Sequence, residues 1–188
     1  YEKATNWALQ MEDEDAFIRE LTTDQPEPPN YFAMMKRVNK EGIALTTEAA
    51  AIIQETASSL PSSIQIVDTR NGQSFRDGHL PGTINIPYDG KFVTWAGWLL
   101  DFDHDIAILS TPEQREDIQR DLQSIGLDRV TYWADHQAVP ASMLTERYED
   151  WTAEEALAAA EREEVYVLDV RNKTEWDSHH YDQAQRIL

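Results

Sequence analysis

The stretch VDTRNGQSFRDGHLPGTINIP, Val67–Pro87, decides how the rest of the chain is read. With the residues before it, it begins as the apolar run IQIVD, the pattern of a strand in a parallel sheet covered on both faces. A polar loop follows with Asp68 and Arg70 two apart, then a Gly-His-x-Pro-Gly turn over Gly78, His79, Pro81 and Gly82, then INIP. The same pattern returns 101 residues on (169 − 68) in VYVLDVRNKTEWDSHHYDQAQ, Val165–Gln185, with Asp169 on Asp68, Arg171 on Arg70, Trp176 on Phe75 and His180 on His79. Each copy is preceded by an Ala/Glu-rich stretch opening on Thr, TTEAAAIIQETASS and TAEEALAAAEREE, which predicts a recurring unit of helix, strand and loop. Thr152 and Glu155 fit a capping box, and Thr47 is the corresponding N-cap without the reciprocal acid. VYVLD should be buried on both faces like IQIVD. The 38 residues 151–188 are too few to close a layered α/β domain, so the second copy reads as the opening of a further domain.

Between the copies the α/β alternation continues. DIAILS, Asp105–Ser110, is a second apolar strand, and VTYWAD, Val130–Asp135, a third. The intervening PEQREDIQRDLQSIG predicts a helix with Ile118, Leu122 and Ile125 on one face and Gly126 as its C-cap. In KFVTWAGWLL, Lys91–Leu100, Phe92, Trp95, Trp98 and Leu99 recur at helical spacing and are assigned to the core. Ahead of all this, helices are predicted around Asp13–Leu21 and Tyr31–Asn39, separated by a break at Pro26, Pro28 and Pro29.

Composition bounds the function. The 188 residues allow one moderate domain with attachments or two small ones, and 41% hydrophobic content with six Trp supports a core. Sixteen Lys and Arg against 35 Asp and Glu give a formal charge of −19, a field that repels phosphate backbones and anionic lipid, so neither nucleic acid nor a membrane is expected as a partner. No apolar run approaches the ~20 residues of a spanning helix and no leader pattern precedes the first polar stretch, so a cytoplasmic location is expected. The absence of cysteine excludes disulfides, thiolate metal sites and a cysteine nucleophile within these residues. DFDHD, Asp101–Asp105, has a metal-like composition but reads as solvated carboxylates, and the adjacent His179 and His180 point to opposite faces in extended chain; no metal is expected here.

DTRNGQSFRDGHLPGTINIP resembles the first signature of the rhodanese family, and the likeness runs in order from Thr46 to about Ala134. It implies a three-layer α/β fold around a central parallel sheet. It also implies that the strand DIAILS should end in a catalytic Cys whose loop of backbone N–H groups holds a persulfide or anionic sulfur donor. In this chain the seat is Ser110, followed by Thr111, Pro112, Glu113, Gln114 and Arg115. A serine hydroxyl neither ionises comparably nor stores sulfur, so sulfurtransferase activity is excluded. Pro112 supplies no N–H, and Glu113 places a carboxylate where an anion would bind, with Glu113 and Glu116 assigned to the helix start. Ser110 lacks a G-x-S-x-G elbow and an assignable His, so no catalytic residue is assigned. Asp68, Arg70, His79 and Gly82 are read as a structural motif, Arg70 pairing with Asp68 or bracing the loop. The family commonly carries an acid where Ser74 stands; Glu175 keeps it in the second copy as an expected partner for the arginine.

The segments NWALQ and QPEPPNYFAMMKRVNKEG are similar to the C-terminal end of metallo-β-lactamase-fold proteins of the persulfide dioxygenase group. The order then implied is a helical tail of such a domain over 1–42, a degenerate rhodanese-like domain over 43–150, and the start of a second one over 151–188. The resemblance implies a sulfur-metabolising fusion whose iron (or zinc) lies in the preceding domain. The middle domain would be a non-catalytic spacer whose partners are its neighbours in the same polypeptide, with self-association left open. A cysteine of the second unit would fall near residue 211 (169 + 42, from 110 − 68). Two alternatives stay open: a stand-alone regulatory module binding an anion or a peptide, and part of another metallo-β-lactamase-superfamily hydrolase.

Overall fold

The computed structural model describes residues 2–23, 25, 31–42 and 52–187. In chain order its elements are α1 (Glu2–Thr5), α2 (Glu14–Thr22), α3 (Tyr31–Glu41), β1 (Ile53–Gln54), β2 (Gln65–Asp68), α4 (Gly72–Asp77), β3 (Thr83–Asn85) and α5 (Phe92–Leu99). They continue with β4 (Ile106–Ser110), α6 (Arg115–Ser124), β5 (Val130–Asp135), α7 (Ala153–Glu161), β6 (Leu168–Asp169), α8 (Lys173–Ser178) and β7 (Gln185–Arg186). Short 3-10 turns fill several of the connections. Two compact units result, one from Pro29 to Asp150, the other made of Tyr1–Pro28 and Trp151–Leu188.

The first unit is a mixed α/β fold around a central parallel sheet in the order β1-β5-β4-β2-β3. β4, IAILS, is buried at all five positions, which is why it tolerates no polar side chain before Ser110. Alternation divides the core in two. Val67, Ile106, Ile108 and Trp133 pack with Phe92 and Ala96 of α5, with its C-cap Leu100, and with Ile118 and Leu122 of α6. Ile66, Leu109 and Ala134 face the other way, onto Leu80, Leu60, Val139, Met143 and Leu144. α3 belongs to this unit. Its Tyr31 ring lies so close to Gly97 that a Cβ there would sit 2.5 Å from Cδ1, so only glycine admits the ring as placed.

Two expectations are corrected here. The helix predicted over TTEAAAIIQETASS is absent from its described part: Ile53–Gln54 pair with β5 as an edge strand, and Ala57–Ser59 form a 3-10 turn. The β-branched pair at 52–53 has a strand to join, and that outweighs the alanine propensity. Thr47 and residues 46–51 lie outside the described residues. Second, Trp95, Trp98 and Leu99 are exposed. α5 presents Phe92, Ala96 and Leu100, spaced i, i+4, i+8, to the sheet, and the intervening large side chains turn outward.

In the other unit, α2 starts at Asp13, whose carboxylate accepts the Ala16 N–H, and α7 starts at the Thr152–Glu155 capping box. β6 pairs with β7 in parallel, Leu168 with Gln185 and Asp169 with Arg186. This reproduces, 101 residues on (168 − 67), the pairing of Val67 with Ile84 and Asp68 with Asn85. Burial does not follow: Tyr166 is 96% exposed and Val170 78%, because among the described residues of this unit no strand stands where β4 flanks β2 in the first. Among the described residues no helix is long and apolar enough to cross a membrane.

Candidate functional site

The carboxyl ends of parallel strands are where α/β folds place ligands. Ser110 closes β4 at that edge, and its side chain is fully buried. Its hydroxyl donates to the Thr111 carbonyl at 3.0 Å and accepts from the Trp133 indole Nε1 at 2.9 Å. Trp133 is itself buried, and the Arg115 guanidinium lies 5.8 Å from the centre of its ring. The hydroxyl is therefore held on both its donor and acceptor sides within the fold. Trp133 is the residue that the sequence reading missed. The signal was available in the register: Trp133 stands beside Ile108, and Ile108 shares a face with Ser110.

The loop after Ser110 is a 3-10 turn, Pro112–Gln114, leading directly into α6. Pro112 has no N–H. The Gln114 N–H donates to the Thr111 carbonyl and the Arg115 N–H to the Pro112 carbonyl. The Glu113 carboxylate is held below the usual glutamate range, first by its own backbone N–H and then by the Thr111 hydroxyl. From 112 to 115 the backbone donors that an anion cradle would aim outward are absent or engaged, and the one carboxylate in this stretch is the chain's own Glu113.

Beside this loop the Asp68 carboxylate is buried and receives Arg70 through Nε at 3.0 Å to both oxygens, Nη2 at 2.6 Å and the backbone N–H at 3.0 Å. Nη2 also donates to the Gly78 carbonyl at 3.0 Å, so Arg70 both pairs with Asp68 and braces the loop. The Asn85 amide donates to the carbonyls of Asp68 and Arg70, each at 2.9 Å. His79 is buried, stacked on Phe75 with ring centres 3.8 Å apart, and its Nδ1 lies 2.8 Å from the Phe75 carbonyl. A carbonyl only accepts, so Nδ1 carries the proton and Nε2 faces Glu146, 3.6 Å away. Gly82 closes the turn at φ +74°.

The second copy repeats these contacts almost bond for bond. Arg171 Nη2 is 2.6 Å from Asp169 and 2.8 Å from the His179 carbonyl, and His180 stacks on Trp176 at 3.8 Å with Nδ1 2.9 Å from its carbonyl. Arg171 holds the Asp169 carboxyl down from 3.8 to about 2, through its side chain first and its backbone N–H second. Glu175 makes its hydrogen bonds in a capping box with Asn172 and adds only a weaker electrostatic pull on Arg171; Asn71 caps α4 without that acid.

A separate cavity of about 590 Å³ is lined by Ala33, Met34, Arg37 and Leu99–Asp103, next to the start of β4 and away from Ser110. In DFDHD, His104 Nδ1 lies 2.9 Å from Asp101, and no three His, Asp or Glu side chains converge as a metal site among the described residues.

No protein-family model matches the chain, and no curated protein matches it either. Solved structures do. The chain is similar to a metallo-beta-lactamase from Staphylococcus aureus subsp. aureus COL, with 36% identity over 71% of this chain and 39% of that one and a TM-score of 0.59. Its structural neighbours also include rhodanese-like domains. One is a Rhodanese_3 like domain from Anabaena sp., 25% identical over 38% of this chain and 79% of that one, TM-score 0.33. Another similar structure, at 15% identity over 73% of this chain and 41% of that one, is an anaerobic ergothioneine biosynthesis enzyme from Chlorobium limicola, TM-score 0.43. The chain thus spans about two fifths of the staphylococcal protein it matches.

Proposed function

We propose that the five-stranded domain is a rhodanese-like unit without turnover of its own, which spaces and orients its neighbours in a persulfide dioxygenase and rhodanese fusion. Those neighbours are a metallo-β-lactamase-fold domain before it and a second rhodanese-like domain that residues 151–188 begin. The observation that carries the reading is the state of position 110: Ser110 is hydrogen-bonded to Trp133 and Thr111, and the Glu113 carboxylate beside it is held by its own backbone N–H and the Thr111 hydroxyl. Supporting it are the 36% identity to the staphylococcal metallo-beta-lactamase and the duplicated Asp-x-Arg, aromatic and His geometry. In this reading the iron (or zinc) is held by the preceding domain, and the location is cytoplasmic.

The test is thiocyanate formation from thiosulfate and cyanide by the wild-type chain and by Ser110→Cys. Neither should turn over, because the cysteine would enter a closed, N–H-poor loop beside a carboxylate. Appreciable turnover by the wild-type chain overturns the non-catalytic assignment, and turnover by Ser110→Cys alone overturns the claim that the loop is closed to an anion. For the whole polypeptide, oxygen uptake with a low-molecular-weight persulfide distinguishes the dioxygenase from another hydrolase of the superfamily.

A further inference from the structure

Helix α5 carries a surface that the proposed function does not use. Its sequence FVTWAGWL is apolar apart from the exposed Thr94, and a helix of that kind is ordinarily enclosed. Phe92, Ala96 and Leu100 face the sheet, yet Trp95 stays 50% exposed, Leu99 49% and Trp98 36%. Phe32 of α3, 45% exposed, extends the patch through Tyr31, whose ring meets it edge-on at 5.0 Å and lies against Gly97. Together these side chains form a contiguous exposed apolar patch of the kind that marks an interface.

The charges at the two ends of α5 say what covers it. Exposed Lys91 occupies the N-cap, where the helix end is already positive, and Asp101 and Asp103 follow the C-cap Leu100, where the end is negative. Both placements oppose the helix dipole. Asp101 is tied down by the Asp103 N–H at 2.8 Å and by His104 at 2.9 Å, whereas Asp103 is exposed. A second α5 crossing antiparallel corrects both ends at once: its Asp103 meets the first copy's Lys91, its Lys91 meets the first copy's Asp103, and the tryptophans stack between them. A two-fold axis generates this arrangement without any other partner, because each element of the patch faces its complement on the same patch.

We propose that the chain forms a two-fold dimer through the outer face of α5, with Trp95, Trp98 and Leu99 at its centre and Lys91 paired with Asp103 of the second copy at either end. Sedimentation equilibrium of the 188-residue chain tests it. The wild type should dimerise at micromolar concentration, and Trp95→Asp should raise the dissociation constant by at least about 30-fold, the scale of a buried interface tryptophan. Lys91→Asp should weaken the dimer, and Lys91→Asp combined with Asp103→Lys should restore it. These charged positions are exposed, so their variants keep the monomer fold, and circular dichroism confirms the fold of each variant. A wild type that stays monomeric at about 100 µM, a dimer indifferent to Trp95→Asp, or a double swap no tighter than Lys91→Asp alone overturns the proposal.

Discussion

At the residue scale, Ser110 and Trp133 are joined by a buried hydrogen bond. A buried indole N–H without an acceptor is costly, so the Ser110 hydroxyl at the end of β4 serves the fold as a structural acceptor. Ser110→Ala is expected to lower unfolding free energy by about 1–3 kcal/mol in urea denaturation. Trp133→Phe in the same background should cost less than it does alone, since the orphaned donor is then gone, and a double-mutant cycle measures the difference. The second copy offers a pH test. Asp169 is depressed from 3.8 to about 2 by Arg171, so the clasp is complete above 3.8 and is lost as pH falls through about 2. Carboxyl-carbon NMR should therefore place the Asp169 midpoint near 2. A midpoint at the ordinary 3.8 would mean that the clasp does not form in solution.

Among the elements, α6 and α7 end alike and differ in one residue. Both close on the six-to-one and five-to-two bonds of a Schellman motif, from Leu127 and Gly126 in α6 and from Glu164 and Glu163 in α7. The left-handed residue is Gly126 at φ +84° in the first and Glu163 at φ +58° in the second. A side chain there carries strain, so Glu163→Gly should stabilise α7 by about 1 kcal/mol, read as greater amide protection over residues 153–161. Gly97 in α5 tests the opposite balance. Alanine improves helix propensity by about 1 kcal/mol, but its Cβ displaces the Tyr31 ring, so Gly97→Ala should keep the sheet folded while amide protection of α3 falls. Tyr31→Ala added to Gly97→Ala removes the clash, and the α5 gain should then appear as a higher melting temperature. Strand positions were legible at this scale: IQIVD, DIAILS and VTYWAD stand where β2, β4 and β5 form. The stretch before β2 was not, because alanine and glutamate favour helix only until an edge strand competes for the same residues.

For the whole molecule, the charge of −19 sets the electrostatics. Like charges on a compact body repel, and added salt screens them, so the melting temperature at pH 7 should rise between about 0.05 and 0.5 M NaCl. A flat response would mean that local ion pairs such as Arg76 with Asp150 already balance the surface.

The sequence by itself determined the parallel α/β alternation, the duplication at 101 residues, and the absence of a thiol at position 110, because periodicity and residue identity are local properties. Only the tertiary structure decided that Trp133 holds Ser110, that Glu113 occupies its own loop, and that Trp95 and Leu99 face outward. Those depend on which strand lies beside which and which side of a helix meets the sheet, and residues far apart in the chain set both.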